Sequence, residues 1–331
     1  MNDSKKIWLV VPCFLIGLII LIFVFSLLGR PNISWRVIFN QASSQDIFSF
    51  WNLRLPRFIL AFMIGASLSV AGASFQSLLK NPLADPYILG VSGGAALGYI
   101  LALIFGLPFF FVPVCGFVFA LLSLILVYRL AVVDGVLSVV SLLLTGIVFN
   151  AFSFALILVI NSAVNFGQAQ QILYLLLGNL DPISWPRLGF LTALLLAVLS
   201  ILIVKSRALN LLSLGDEEAF HLGVSVQREK KIIFIASSLL VGASVSLCGL
   251  IGFVGLIVPH LSRLVFGADN RVVLPASVFI GGFFLVVCEF VAGNLFSFET
   301  LSTRLPVGAI TALIGAPVFV YLLKKFELRK S

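Results

Sequence analysis

The sequence has little charge, histidine or cysteine. Only 10% of its 331 residues are Asp, Glu, Lys or Arg, whereas soluble domains carry about 25%. Its two histidines and four cysteines stand far apart, without a CxxC or HExxH pattern. No GxxxxGK[ST] phosphate loop occurs. These absences argue against a soluble enzyme, a disulfide-stabilised domain and a nucleotide-binding chain, so we expect no catalytic, metal or cofactor site in this chain.

Apolar residues are abundant instead, at 61% of the chain, and the mean hydropathy is +1.19. This composition excludes intrinsic disorder, which requires few apolar residues and high charge. The apolar stretches are continuous, whereas the strands of an outer-membrane barrel alternate. We therefore predict an all-α polytopic membrane protein with about ten transmembrane helices in one bundle. The predicted spans are 7–28, 56–79, 89–106, 109–129, 136–161, 186–204, 232–249, 253–267, 273–295 and 306–323.

Lys and Arg are distributed unequally between the predicted connections. Most of the 21 basic residues fall on the side that also holds both termini. Cytoplasmic connections carry such an excess, so both termini are predicted to be cytoplasmic. The net charge of +8 then reflects topology and not nucleic-acid binding. We interpret residues 1–331 as a single transmembrane domain.

The longest predicted cytoplasmic connection, at about 205–231, contains the signal of a short helix. Ser213 is predicted as its N-cap, acidic residues follow in the first turn, and Gly223 stands past its end. A helix this short is marginal alone, so we expect it to rest on the membrane domain or on a cytoplasmic partner. The alternative is a solvated, charged connector. The apolar positions of the helix are Leu214, Ala219 and Leu222.

A few polar residues stand inside predicted spans. Glu289 is a carboxylate well inside one of them, and such a residue is a functional candidate by default. A proton relay needs several groups in series, so a structural hydrogen-bonding role is the preferred interpretation. Gln76, like Asn150 and Asn294, is expected to join helices by hydrogen bonds.

Two short motifs flank the second predicted span. After it come Lys80-Asn-Pro-Leu-Ala-Asp-Pro86, whose prolines end one helix before the next begins. This segment is either a gate at the inner end of a pathway or an ordinary tight turn. Before the span, Arg54 and Arg57 are three residues apart, which places both on one face of a helical turn. They either face outward to bind carboxylates or lie at the membrane interface.

Several runs of residues together resemble one family of membrane proteins. The first half carries Arg54-Leu-Pro-Arg-Phe-Ile-Leu-Ala, Asn81-Pro-Leu-Ala-Asp-Pro and Leu89-Gly-Val-Ser-Gly-Gly-Ala. The second half carries Ser213-Leu-Gly-Asp-Glu-Glu-Ala, Gly252-Phe-Val-Gly-Leu-Ile-Val-Pro-His-Leu-Ser-Arg and Leu305-Pro-Val-Gly. Over about residues 50–325, these runs resemble the permease subunits of type II ABC importers, which take up iron chelates, haem and cobalamin.

The resemblance implies a subunit that pairs with an identical or similar permease. It also implies two cytoplasmic ATPase subunits, which bind ATP and Mg²⁺, and a periplasmic or lipid-anchored substrate-binding protein. By resemblance, Arg54 and Arg57 dock the binding protein, and Asn81, Pro82 and Leu83 belong to the cytoplasmic gate. The residues that would couple to the ATPase are Leu214, Gly215, Glu217, Glu218, Ala219, Leu222 and Gly223.

The sequence departs from the family pattern at two positions. The family often has an arginine, a third docking residue, where this chain has Gly293, and a glutamate where this chain has Arg304. We therefore hypothesise that Arg304 takes over the third docking contact. An altered ligand at the outer mouth of the pathway is the other interpretation.

The predicted function is inward transport across the cytoplasmic membrane of a prokaryote, by alternating access that a partner ATPase drives. The cargo is predicted to be a ferric siderophore or a related chelate such as haem or cobalamin, and an oxyanion stays open. The alternative is an ion-coupled secondary transporter, which would need coupling-ion sites inside the bundle. A purely structural membrane protein would leave the arginines and the short helix unexplained.

Overall fold

The computed structural model describes residues 17–28, 33–39, 41–108, 110–133, 135–294 and 304–327. Of these described residues, 83% are helical. Helices α1 to α7 are Gly17–Leu28, Ser44–Phe48, Leu55–Leu78, Val91–Ile104, Val112–Ala131, Val139–Ala163 and Phe166–Leu177. Helices α8 to α14 are Trp185–Val204, Ser206–Leu214, Asp216–His221, Val226–Cys248, Val254–Phe266, Asn270–Asn294 and Val307–Glu327. Short 3₁₀ helices occupy Trp35–Phe39 and Pro86–Leu89, and a π-helical stretch covers Ser49–Arg54.

Each of the ten predicted spans coincides with a helix, although residues 7–16 of the first span, 7–28, lie outside the described residues. Among the described residues, six helices are long and apolar enough to cross a membrane, the longest running without a break from Ser44 to Leu78. Four others, including α4 and α12, are apolar but shorter. The chain is therefore a multi-pass membrane protein, while the number of crossings and the side of the termini stay predictions.

Several short elements were not predicted. β1 (Val132–Val133) and β2 (Val136–Leu137) pair antiparallel between α5 and α6 and form a small hairpin in an otherwise helical fold. Helix α7 follows α6 directly, with Asn165 as N-cap. Helix α9 continues the polypeptide after α8 and packs Leu209 and Leu212 into the core. None of these needs the long apolar run by which spanning helices are recognised.

Helix α3 forms the centre of the bundle. Of an 18-residue apolar segment in the span that contains α3, 89% is buried. Helix α3 packs against α13 and α12. Small residues on α3 allow other helices to approach its backbone closely. A Cβ added at Gly65 would collide with the carbonyl of Gly281, and one at Gly72 would collide with that of Gly255. Glycine is required here because backbone packs against backbone.

The two ends of the bundle differ in their polar residues. One end, here called the arginine end, holds Arg54, Arg57 and Arg304 near the starts of α3 and α14. The opposite end, here called the α10 end, holds the turn after α3, helices α9 and α10, and the start of α13. The candidate sites lie at these two ends.

Candidate functional site

Helix α10 lies where a short helix was predicted, but with a different cap. It covers Asp216–His221 with Gly215 as N-cap. Ser213 belongs instead to α9, where its hydroxyl donates to the Leu209 carbonyl at 2.8 Å, so the prediction of Ser213 as N-cap is wrong. At the other end Gly223 has a φ of 84°, the left-handed conformation that glycine adopts after a helix.

Helix α10 has one buried position and a broad exposed surface. Ala219 is fully buried, whereas Phe220 is 69% exposed. Leu214 and Leu222, two of the predicted apolar positions, are exposed as well. Glu217 and Glu218 are exposed beside them. The helix therefore rests on the membrane domain through Ala219 and presents apolar and acidic side chains outward.

Asp216 joins α10 to two other segments. Its Oδ2 accepts from Nζ of Lys230, on α11, at 2.5 Å. Its Oδ1 lies 3.9 Å from Nζ of Lys80, at the end of α3. Sequence reasoning missed this set because the three residues come from distant parts of the chain. Lys230 is the fifth residue of α11 and is buried, which only the structure reveals.

The predicted gate residues Asn81, Pro82 and Leu83, here called the gate turn, form a compact exposed turn directly after Lys80. The Asn81 Oδ1 accepts from the Leu83 amide at 2.9 Å, and the Asn81 carbonyl accepts from the Ala84 amide at 3.1 Å. The first of these bonds is of the Asx type that stabilises a turn. The gate turn is thus ordered by its own residues and has an exposed leucine at its tip.

The segment after the gate turn is anchored inside the bundle. Asp85 accepts from the Tyr87 amide at 2.8 Å, and burial raises the pKa of the Asp85 carboxyl above its ordinary value. The Tyr87 hydroxyl accepts from the Ile251 amide at 2.9 Å and donates to the Ile251 carbonyl at 3.0 Å. Asn150 donates from Nδ2 to the Tyr87 carbonyl at 2.6 Å. Three parts of the chain therefore meet at this segment.

Gln76 joins α3 to α12, in agreement with the expected interhelical role. Its Nε2 donates to the Leu256 carbonyl at 3.1 Å, and its Oε1 accepts from Arg263. Arg263 also donates to the Ala73 carbonyl at 3.1 Å and to the Ser77 hydroxyl at 3.1 Å. This network fixes the α10 end of α3.

A second network holds α9 against α13. Asn210 donates from Nδ2 to Asp269 at 2.6 Å, and its Oδ1 accepts from the Asn270 amide at 2.8 Å. Arg271 pairs with Asp269 at 2.7 Å. Hydrogen bonds from Arg271 lower the pKa of the Asp269 carboxyl below its ordinary value.

At the arginine end the structure brings Glu289 between two arginines. The Oε1 of Glu289 lies 3.8 Å from Nε of Arg57 and 3.6 Å from Nη1 of Arg304. The Glu289 side chain is 6% exposed, and that of Arg304 is 46% exposed. Gly293 stands one helical turn after Glu289 on α13. An arginine at position 293 would lie one turn from the Glu289 carboxylate on the same face of α13. Arg304 reaches the same carboxylate from the start of α14.

Arg54 does not face outward. It is buried, and its Nη1 donates to the Ser26 carbonyl of α1 at 3.2 Å. The π-helical stretch that ends at Arg54 directs the residue toward α1. The expectation that both guanidinium groups of Arg54 and Arg57 project from the surface is wrong for Arg54, and Arg57 is itself mostly covered.

Two clefts indent the half of the bundle built from α4 to α7. One, of about 450 Å³, is lined by Tyr99, Tyr174 and Asp181 among others. The other, of about 330 Å³, is lined by Asn150 and mostly apolar side chains. Helix α6 lies beside these clefts, and only 17% of its 18-residue apolar segment is buried. This half therefore offers surface for lipid, a second subunit or cargo.

The comparisons with known proteins agree with this architecture. The model of the FecCD transport family matches residues 13–325. The hemin transport system permease protein HmuU of Yersinia pestis is 35% identical over 97% of this chain and 98% of its own. The vitamin B12 import system permease protein BtuC of Vibrio cholerae is 38% identical over 98% of this chain and 96% of its own.

Solved structures show the same fold. A metal-chelate type ABC transporter in an inward-facing conformation matches with a TM-score of 0.83 and 31% identity, over 95% of this chain and 99% of that one. The family model covers nearly the whole chain, and the relatives match along nearly their whole length. The chain therefore belongs to the FecCD transport family and is the transmembrane permease subunit of an ABC importer.

Proposed function

We propose that this permease moves a metal chelate inward across the cytoplasmic membrane, with ATPase subunits bound at the α10 end and a substrate-binding protein at the arginine end. The observation that carries the proposal is the exposed surface at α10, where Phe220 on the helix, Leu214 just before it and Leu222 just after it stand out beside the buried Ala219. A six-residue helix that exposes this much apolar surface needs a partner.

The α10 surface fits a protein partner and not the lipid. Exposed Glu217 and Glu218 lie among the apolar residues, and carboxylates are costly to insert into hydrocarbon. Interfaces between proteins combine such an apolar centre with a charged rim. Gly215 and Gly223 bound the helix and set where it starts and stops. All seven predicted coupling residues therefore lie on or beside one small helix.

The arginine end fits a partner that brings carboxylates. Arg304 is half exposed, and Glu289 orients it from below. Arg57 lies deeper and supports the same carboxylate, while Arg54 braces α1. We therefore assign the docking contact mainly to Arg304. This assignment agrees with the hypothesis that Arg304 replaces the arginine absent at Gly293.

The cargo is inferred from the relatives and the clefts. The relatives are named for hemin and vitamin B12, and both are large organic metal chelates. The cleft that contains Asn150 is mostly apolar, and an apolar lining offers few polar groups that would bind a cargo tightly. Alternating access would then open the gate turn when the ATPases displace α10.

The first experiment is affinity purification of the tagged chain from its native membrane in mild detergent. We expect an ATPase and a binding protein to co-purify, and extraction of the binding protein should release hemin, a corrinoid or a ferric siderophore. The variant Phe220→Ala should lose the ATPase and keep the binding protein. The matched control is Phe48→Ala, which removes a phenylalanine of similar exposure, 59%, at the arginine end.

Two results would overturn the proposal. One is a wild-type chain that purifies without an ATPase while other membrane complexes stay intact. The other is uptake that stops when ion gradients collapse and continues when ATP is depleted, which would favour the secondary transporter.

Orientation is tested separately by cysteine labelling in intact cells. Ser213 at the α10 end and Ser44 at the arginine end are both exposed. A membrane-impermeant maleimide should label Ser44→Cys from outside and should label Ser213→Cys only after the cells are opened. The opposite pattern would place the α10 end outside and contradict the proposed ATPase site.

A further inference from the structure

Asp216 is shared by two lysines that come from different functional segments. Lys230 belongs to α11, and Lys80 immediately precedes the gate turn. Asp216 itself is the first residue of α10. None of the three belongs to the surface of α10 assigned to the ATPase or to the gate turn. Their side chains instead lie between those two sites.

Lys80 occupies a backbone conformation that favours glycine. Its φ is 51°, and the bonds from the Lys80 amide to the Ser77 carbonyl at 3.3 Å and from the Asn81 amide to the Gln76 carbonyl at 3.0 Å close the end of α3. Glycine is the residue that most easily adopts this conformation at a helix end. A glycine would form the same turn with less strain, so the turn itself does not require the lysine side chain.

The two ion pairs of Asp216 differ in strength. The Lys230 side chain is 4% exposed and contacts Asp216 at 2.5 Å. Lys80 is 43% exposed and lies 3.9 Å from a carboxylate that is itself 47% exposed. A buried ammonium cannot give up its counter-ion without water to replace it, whereas an exposed pair at the longer distance separates easily. A movement of α10 would therefore break the contact with Lys80 first.

The contact between Asp216 and Lys80 leads from α10 toward the gate turn. Ala219 is the one fully buried residue of the helix, and the bond between Asn81 and Leu83 lies within the turn itself. Among the described residues, the ion pair that joins α10 to the end of α3 is the one from Asp216 to Lys80. When α10 is displaced, the loss of this contact frees the end of α3 that carries the gate turn from its ion pair with α10.

We propose that the ion pair of Lys80 and Asp216 is a breakable link that holds the gate turn to α10 and releases it when α10 is displaced. Lys80 and Asp216 are then positioning residues for transport, and Lys230 keeps Asp216 in place. The inference rests on the proposed function, because it assumes an ATPase at α10 and a gate at residues 81–83.

The test measures the gate turn directly and needs no knowledge of the cargo. The complex with its co-purified ATPase carries Leu83→Cys, and the rate of maleimide labelling is measured without nucleotide and after trapping with ATP and vanadate. The protein without Leu83→Cys gives the blank for the native cysteines. In the Leu83→Cys protein that keeps Lys80, we expect trapping to change the labelling rate by at least about fivefold. This factor is the lower end of the coupling typically measured between two sites in one protein.

Three variants make the test specific. Lys80→Gly permits the left-handed turn but removes the ammonium, and Lys80→Arg keeps the charge. Lys231→Ala is the control, because this neighbouring lysine lies over the Tyr128 ring at 5.5 Å, whereas Asp216 pairs with Lys80 and Lys230. We expect Lys80→Gly to abolish the trapping effect at unchanged melting temperature and ATPase content. Lys80→Arg and Lys231→Ala should preserve it.

The outcomes distinguish a failure of the link from a failure of the proposed function. If Lys80→Gly responds to trapping as the parent does, the link is wrong while the proposed function stands. If trapping leaves Leu83→Cys unchanged even with Lys80, although the ATPase is present, then residue 83 is not part of a moving gate and the link is again wrong. If no ATPase co-purifies with the parent, the proposed function itself fails.

Discussion

The arginine end and the α10 end of the bundle each hold one carboxylate between two cations. The carboxylate is buried at the arginine end, whereas at the α10 end it is half exposed and one of its cations is buried. At the arginine end the buried group is the carboxylate, Glu289, and the exposed group is Arg304. At the α10 end the buried group is the ammonium of Lys230, and Asp216 is about half exposed. Each set draws its members from different helices, so each ties separate helices together.

The difference shows which group each end keeps available. A buried charge is expensive unless it is paired, so it holds its partner tightly. Glu289 therefore holds Arg304 at the surface as an available cation. Lys230 holds Asp216 as an available carboxylate, which Lys80 partly neutralises. One end is thus prepared for an acidic partner from outside, and the other for a contact within the chain that can break.

The largest effect is expected from Glu289→Ala. The change removes the carboxylate that faces Arg57, whose side chain is mostly covered and whose buried Nε forms no hydrogen bond with the described residues. Removing one member of a buried ion pair costs about 3 kcal/mol or more of the free energy of unfolding. Unfolding in detergent micelles with increasing sodium dodecyl sulfate measures this loss.

The double variant Glu289→Leu with Arg57→Leu is the control for that experiment. Two apolar side chains replace both charges, and such exchanges are often neutral. We expect the double variant to recover most of the lost free energy. A double variant as unstable as Glu289→Ala would show that packing, and not the charge, explains the loss.

The next effect concerns the α10 end, where the ammonium of Lys230 is buried and the carboxylate of Asp216 is half exposed. Asp216→Ala leaves the buried Lys230 ammonium without this carboxylate, so we expect a loss of about 2 kcal/mol. Lys230→Met leaves only a half-exposed carboxylate near Lys80, so we expect a change within about 0.5 kcal/mol. The same unfolding titration checks both. Equal losses in the two variants would contradict the inferred effect of unequal burial of Lys230 and Asp216.

How far the sequence predicts these features depends on the kind of signal. Spanning helices follow from hydropathy, because the bilayer demands long apolar runs. Helix α7 was missed because it is short and follows α6 almost directly. Helix α9 was missed because its buried residues, Leu209 and Leu212, are only a few in a polar connection.

The candidate sites divide in the same way. Local chemistry placed the turn at Asn81 and the short helix before Gly223, since caps and prolines act on neighbouring residues. The ion pairs were out of reach because their members are brought together only by packing: Glu289 meets residues from α3 and from the start of α14. A lone intramembrane carboxylate indicates that the residue has polar partners, but it does not identify them.

A smaller effect is expected on binding at the arginine end. Arg304→Ala should weaken the affinity for the substrate-binding protein about tenfold, which corresponds to about 1.4 kcal/mol, and should reduce its dependence on salt. Titration of the detergent-solubilised permease with the purified binding protein measures both. The control is Arg187→Ala, another exposed arginine, which lies over the Phe110 ring at 4.7 Å. Equal losses in the two variants would mean that only net charge matters.

The smallest expected effect tests whether Glu289 competes with the binding protein for Arg304. The carboxylate of the binding protein would compete with Glu289 for Arg304, whose guanidinium lies 3.6 Å from Oε1. Glu289→Gln keeps the side-chain volume and removes the competing charge, so the affinity of the folded permease should rise by about threefold, well under one factor of ten. In the Arg304→Ala background the same exchange should have no effect. A rise that persists without Arg304 would show that Glu289 acts on docking through Arg57 or through the general field of the surface, and the docking contact would then have to be reassigned.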